Sequence, residues 1–232
     1  MSSNKIRKHY AEYVTKGGDG PSVFETRASD LGYGFVDKSG RHIAPESLKS
    51  DAKLWRASCG SGCPLKLLHD EQLGDSCLVQ PNGGEKESTP LTILDIGCGA
   101  GHDVFLAAEY AKSHSQRPLT VIGIDFTPEM ISAANENLSR HPYLSDCVEF
   151  QVQDIEDLSP SFVQKYHKTI DIVLSNGVMN LCRDKAKAFR NVCQLLKPTT
   201  GIFVFSDVCK LKDANPDAKL LETTIANDVF SQ

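Results

Sequence analysis

Asp95-Ile96-Gly97-Cys98-Gly99-Ala100-Gly101-His102-Asp103 is the stretch whose reading decides the fold. It follows Leu91-Thr-Ile-Leu-Asp95, which reads as a short buried strand. It opens onto residues 102–113, where Val104, Leu106, Ala107, Ala108 and Ala111 recur at helical spacing. A strand that runs through glycines into a helix has to turn sharply. Its amides can then approach a ligand with no Cβ atoms in the way. The glycines are spaced Gly-x-Gly-x-Gly, not in the Gly-x-Gly-x-x-Gly order of the dinucleotide fingerprint.

The pattern stays regular downstream. Residues 119–124 read as a second strand closed by Asp125. Thr127-Pro128-Glu129 caps a second helix with Pro at its first position, and Met130, Ile131, Ala134 and Leu138 form its apolar stripe. Residues 147–152 give a third strand with Asp154 just beyond, and 159–166 a short helix. Residues 170–175 give a fourth strand, 184–196 a helix and 202–206 a fifth strand. Strands alternating with helices predict an α/β, Rossmann-like, doubly wound parallel sheet with helices on both faces. Ligands of such sheets bind beyond the carboxyl ends of the strands. Asp125, 30 residues after Asp95, is placed there to accept hydrogen bonds from two ribose hydroxyls. Asp154 is a third polar group at the same edge.

The acid opening the glycine motif and the Gly-x-Gly-x-Gly spacing together resemble class I S-adenosylmethionine-dependent methyltransferases. The resemblance implies strand order 3-2-1-4-5 and S-adenosyl-L-methionine as cofactor. It implies Asp95, Gly97, Cys98, Gly99 and Gly101 on the methionine and ribose side, Asp125 and Phe126 at the ribose, and Asp154 and Ile155 at the adenine. Asn176, in Ser175-Asn176-Gly177, is implied to lie beside the reacting centre as the catalytic candidate. Longer stretches are similar to the arsenite methyltransferase family: residues 95–103, 121–130, 171–181 and 203–208, with Ser-Asn-x-Val-x-Asn-Leu the most specific. Residues 6–14, with Tyr10, are similar to that family's N-terminal lead-in.

That family implies three convergent thiolates, ligands suited to a soft trivalent arsenic acceptor. Cys59, in Ala57-Ser-Cys-Gly-Ser-Gly-Cys63-Pro, matches one of them. Gly177 stands where the Ser-Asn motif is expected to carry a thiol, and no cysteine follows Cys209. Cys63 and Cys182 are the replacement candidates, provided the segment around Cys59 folds over the ligand-binding edge. The bland alternative makes Cys59 and Cys63 ordinary loop thiols. Cys147 and Cys193 read as packing residues. A zinc site would need two further ligands beside Cys59 and Cys63, and His69 is the only neighbour, so no metal is expected.

Composition bounds the rest. The 232 residues suggest one α/β domain plus an appendage: an N-terminal cap over 1–73, a linker or insertion over 74–90, and a cofactor-binding domain over 91–232. Within the first part, residues 5–14 and 44–50 read as short helices, and 15–21 and 32–34 as glycine turns. Residues 1–90 carry 12 charges of each sign, so the net charge of -5 resides in 91–232. A chain without a basic surplus gains little from a phosphate backbone, so no nucleic-acid partner is expected. Nothing approaches the ~18–20 apolar residues of a membrane span, and the N-terminus has no apolar signal core. A cytoplasmic chain with reduced thiols follows, acting on a small-molecule or metalloid substrate.

Residues 217–230 read as one helix, with Leu220, Leu221, Ile225 and Val229 on a stripe. No terminal strand pair is expected, which leaves strand five as an apolar edge through Phe203-Val-Phe205. Three readings of that edge are open: a shortened chain, a homodimer through strand five, or cover by the N-terminal residues. Two functional readings are open as well. One is an arsenite-methyltransferase-like enzyme, or one acting on another small acceptor. The other is a non-catalytic cofactor-binding partner protein. Methyl transfer from a sulfonium needs positioning and desolvation more than proton transfer, so no acid–base dyad is expected.

Overall fold

Leu91–Ile96 forms β1, and its alternating side chains supply both faces of the molecule. Leu91 and Ile93 join one core cluster, with Val104, Phe105 and Val121. Leu94 and Ile96 join the other, with Ile122, Val173 and Phe162. A strand buried on both sides has to sit at the centre of a parallel sheet, and β1 does, between β2 (Leu119–Asp125) and β4 (Ile172–Asn176). The computed structural model describes residues 3–16, 48, 50–51, 54, 61–70, 89–208 and 222–225.

With β3 (Val148–Val152), β5 (Ile202–Asp207) and β6 (Glu222–Ile225), the sheet order is β3-β2-β1-β4-β5-β6. The first five strands are parallel in the expected 3-2-1-4-5 order. The sixth corrects an expectation: β6 pairs antiparallel with β5, Phe205 opposite Thr224, where the apolar spacing predicts a helix over 217–230. The Thr-Thr-Ile run of β6 has the β-branched content of a strand. An unpaired apolar edge on β5 supplies the partner that a helical stripe cannot reveal. The edge considered for a homodimer is therefore paired within the chain over Val204–Asp207.

Helices cover both faces. His102–His114 is α3, entered through Gly101 in the left-handed region at φ 94. Pro128–Arg140 is α4, with Thr127 at its N-cap position; the hydroxyl of Thr127 makes no capping bond. Pro160–Tyr166 is α5, capped by Ser159, and Lys185–Leu195 is α6, capped by Asp184 accepting from Lys187 N at 2.8 Å. Phe150 on β3 fills the space between two glycines: a Cβ on Gly101 would lie 2.7 Å from its ring, and one on Gly123 2.6 Å. Phe105 meets the same ring edge-on at 5.7 Å between centroids.

The N-terminal residues wrap this domain. Ser3–Lys16 is α1, longer than the helix read over 5–14, and it packs on α4. Pro64–Asp70 is α2, and Leu65 and Leu68 enter the β1–α3 core cluster with Leu48 and Leu54. Asp51 ties this segment to the end of α4, accepting from Arg140 Nε at 3.0 Å and from Leu54 N at 3.1 Å, and pairing with His141 Nε2 at 3.0 Å. Residues 17–47 and 71–88 lie outside the described residues, and with them the turns at 17–21 and 32–34, most of the 44–50 helix and most of the 74–90 linker. Among the described residues, no helix is long and apolar enough to cross a membrane.

Candidate cofactor and acceptor site

A cleft of about 1040 Å³, counted with its open mouth, lies beyond the carboxyl ends of β1, β2 and β4. Gly97, Cys98 and Gly99 form its floor. Asp125 and Phe126 follow β2 into it, and Asp154 and Ile155 line it after β3. Asn176 and Gly177 line it after β4, and Ile6 and Tyr10 of α1 close one side. Of the residues expected at the cofactor, only Asp95 and Gly101 stand behind the cleft wall. Sequence reasoning gave no site role to Ile6, His102, Gln153, Glu156, Val178 or Leu181, which also line it. Ile6 and Tyr10 are one helical turn apart on α1, the i, i+4 spacing that marks a shared face.

The glycine turn is held by backbone geometry. Gly97 has φ 68 and Gly99 φ 52, and a side chain on Gly97 would run into Val178. Gly97 N and Cys98 N both donate to Ile124 O, at 2.8 and 3.0 Å, which locks the turn onto β2. Asp125 braces it further: Oδ2 accepts from Gly99 N at 3.1 Å and Oδ1 from Thr127 N at 2.8 Å. Burial raises the Asp125 carboxyl above its ordinary value, although the Thr127 and Gly99 amides pull it down. Asp95 lies beneath, 2% exposed, and is pushed well up by burial and then by the charges of Asp103 and Asp125. Among the described residues, the cleft wall carries Asp103, Asp125, Asp154 and Glu156 and no lysine or arginine.

Asn176 does not point freely at a reacting centre. Its Oδ1 accepts from Ser61 N at 2.7 Å and Gly62 N at 3.1 Å. Its Nδ2 donates to Gly62 O at 2.7 Å and to Asp103 Oδ2 at 2.9 Å. The segment ahead of α2 is thereby docked at the carboxyl edge. The thiols divide. Cys182 lines the cleft and is pushed up to about 11 by burial first and the Glu156 charge next. Cys98 lies in the floor and is also raised by burial. Cys63 sits two residues from Ser61 but packs into the core, where burial and then Asp103 push its thiol up. Cys59 lies outside the described residues. Among the described residues, no three metal-ligating side chains cluster.

Beyond the cleft wall, the loop after β4 is pinned by charge. Lys185 Nζ donates to Met179 O, Asn180 O and Cys182 O at 2.9, 2.9 and 2.8 Å. Glu156 accepts from Arg183 N and Asp184 N, and Asp207 from Asn180 N at 2.7 Å.

Residues 87–231 match the family described as "Methyltransferase domain". The chain belongs to the methyltransferase domain family. A Halobacterium salinarum arsenite methyltransferase is 35% identical over 129 residues, 56% of this chain and 30% of that protein. A Rattus norvegicus arsenite methyltransferase is 35% identical over 190 residues, 74% of this chain and 48% of that protein. A malonyl-[acyl-carrier protein] O-methyltransferase of Halalkalibacterium halodurans is 32% identical over 132 residues, 56% of this chain and 43% of that protein. The chain thus spans about a third to a half of the length of these relatives.

The cofactor of this methyltransferase domain is S-adenosyl-L-methionine, and the residues present fit it. Gly97 and Gly99 leave the turn without side chains at two floor positions, and a wall that carries four acidic side chains and, among the described residues, no lysine or arginine suits a ligand carrying a sulfonium and an ammonium. Asp125 keeps acceptor capacity for ribose hydroxyls, since a carboxylate has about four lone-pair sites and two take backbone amides here.

Proposed function

We propose that this chain is an S-adenosyl-L-methionine-dependent methyltransferase whose acceptor is trivalent arsenic held by thiols. The glycine floor with Asp125 at its rim carries the first half of this reading. Cys182, which lines the same cleft as Gly177, supports the second, together with the names of two relatives. When bound, the cofactor supplies an electrophilic methyl group on a sulfonium. The chain's own part is to orient and to dry the site. The turn and Asp125 fix the donor's ribose end, Ile6 and Tyr10 exclude water from one side, and Cys182 stands where a soft acceptor can be held. No proton has to move at a side chain for the transfer, and on this reading the His102–Asp103 pair of the cleft wall, 3.5 Å apart, has no part in it.

A second reading has its own observation. Gly177 replaces the expected thiol, and Cys63 is enclosed in the core, which favours another small-molecule acceptor or a non-catalytic cofactor-binding partner protein. The deciding experiment offers labelled S-adenosyl-L-methionine to the chain with arsenite plus glutathione, selenite, or a panel of small-molecule acceptors. Label transfer to arsenic that is lost in Cys182→Ser supports the metalloid. With a thiol near 11, the Cys182-dependent rate should climb close to tenfold per unit between about pH 7 and 9, as the thiolate fraction grows. Transfer to another acceptor, or full activity toward arsenite in a Cys59→Ser/Cys63→Ser/Cys182→Ser variant, removes the thiol-held arsenic.

A further inference from the structure

One side chain holds the N-terminal segment against the carboxyl edge. Asn176 has two acceptor and two donor positions on its amide, and protein groups take all four: Ser61 N, Gly62 N, Gly62 O and Asp103 Oδ2. Gly62 and Asn176 are 114 residues apart, so this is tertiary docking and not a local turn. A second anchor lies on β5, where Ser61 Oγ donates to Ser206 O at 2.9 Å. Gly62 is pressed so closely to that strand that a Cβ would run into Ser206 Oγ. Asp103 and Asn176 both line the cleft, whereas Gly62 does not. An amide engaged in this way has nothing left to offer a methyl acceptor. It does connect a carboxylate of the donor cleft to the backbone of a loop that covers the ends of β4 and β5.

We infer that Asn176 is a positioning residue, a latch that docks residues 61–63 over the ends of β4 and β5 and, through Asp103, ties that docking to donor occupancy. The inference rests on the methyltransferase reading above. Coupling between two sites is reciprocal. Donor in the cleft orders Asp103 and Asn176 and tightens the loop, and a docked loop tightens the donor by the same factor. The loop is then held most firmly with donor present, and the cleft's Asp103 and Asn176 are fixed together with it.

Amide exchange over residues 61–68, read on the full chain with and without S-adenosyl-L-methionine, tests this alongside calorimetry of donor binding. In the parent, saturating donor should slow exchange of these amides about 5-fold or more, the lower end of coupling between linked sites. Gly62→Ala should speed donor-free exchange there and raise the donor Kd by about the factor of protection it loses. Ser206→Gly, which removes the obstructing Cβ and hydroxyl, should restore both in the double variant. A loop that merely braces the fold exchanges alike with and without donor, and that result in a parent shown to bind donor overturns the latch. So does Gly62→Ala behaving as the parent in both measurements. The donor-dependent protection needs no variant, so it decides even where Gly62→Ala does not fold. A parent that takes up no donor in calorimetry defeats the methyltransferase reading and the donor link together. The donor-free exchange of Gly62→Ala against its rescue then judges the docking alone.

Discussion

Both oxygens of Asp125 are engaged with the backbone, Oδ2 with Gly99 and Oδ1 with Thr127. Asp125→Ala should therefore weaken donor binding by about 1.5–3 kcal/mol, the scale of hydrogen bonds to a charged group. Asp125→Asn should fall between, because one amide oxygen can still serve Thr127. Equal calorimetric affinity in all three proteins would take Asp125 out of the site. Asp51 gives the pH counterpart. Burial pushes its carboxyl up, but the Leu54 amide, His141 and Arg140 outweigh burial and hold it below its ordinary value. A depressed carboxyl contributes stability that is present above the unfolded value of about 4 and is lost as pH falls through the folded value. The thermal midpoint should fall more steeply below about pH 4 in the parent than in Asp51→Asn, and at neutral pH the parent should be the more stable by about 1.5–3 kcal/mol in unfolding free energy. Parallel curves would assign Asp51 no part in acid unfolding. At this scale the glycine turn and its bracing acid were legible, because glycines and an acid at strand ends mark a sharp turn at the carboxyl edge. Asn176 was legible as a polar residue at the end of β4, but its bonds to Ser61 and Gly62 were not, since those partners are linked to it only by folding.

Among the elements, the five parallel strands announced themselves through apolar runs and strand-end acids, and β6 did not. Leu220, Leu221, Ile225 and Val229 fit a helical stripe, and no local feature outweighs that spacing. What decides is the unpaired side of β5, a property of the sheet and not of residues 217–230. Ile202 N donates toward Asp171, on the β4 side. By alternation, the Phe205 and Asp207 amides face β6 while those of Val204 and Ser206 face β4. Proline at Thr224, opposite Phe205, should open this pairing. Exchange at Phe205 and Asp207 should then rise about tenfold or more, with Val204 and Ser206 keeping their protection. Equal exchange at all four amides before and after substitution would remove the strand.

For the whole molecule, the cap and the domain read from the sequence share one core and one cleft. Leu48, Leu54, Leu65 and Leu68 are fully enclosed with residues of β1 and α3, and α1 reaches across to line the cleft. Weak periodicity hid this, because segments that lean on a finished sheet need only scattered leucines and no amphipathic helix of their own. Tyr10→Ala should accordingly weaken donor binding by about 1–2 kcal/mol through lost burial while leaving the unfolding midpoint nearly unchanged. A large fall in the midpoint with unaltered donor affinity would make Tyr10 a packing residue only.

Phe150, wedged between Gly101 and Gly123, makes three positions on two strands and a helix entrance into a single inherited unit. Neither glycine can gain a side chain while the ring stays, and the ring cannot shrink without leaving a hole beside the turn. Gly123→Ala alone should be strongly destabilising, and Phe150→Leu moderately so. The pair together should cost less than their sum, since leucine vacates the space that alanine takes. Drift at these sites would then run in correlated steps, and a lineage that changed one of the three would be expected to carry a compensating exchange at another.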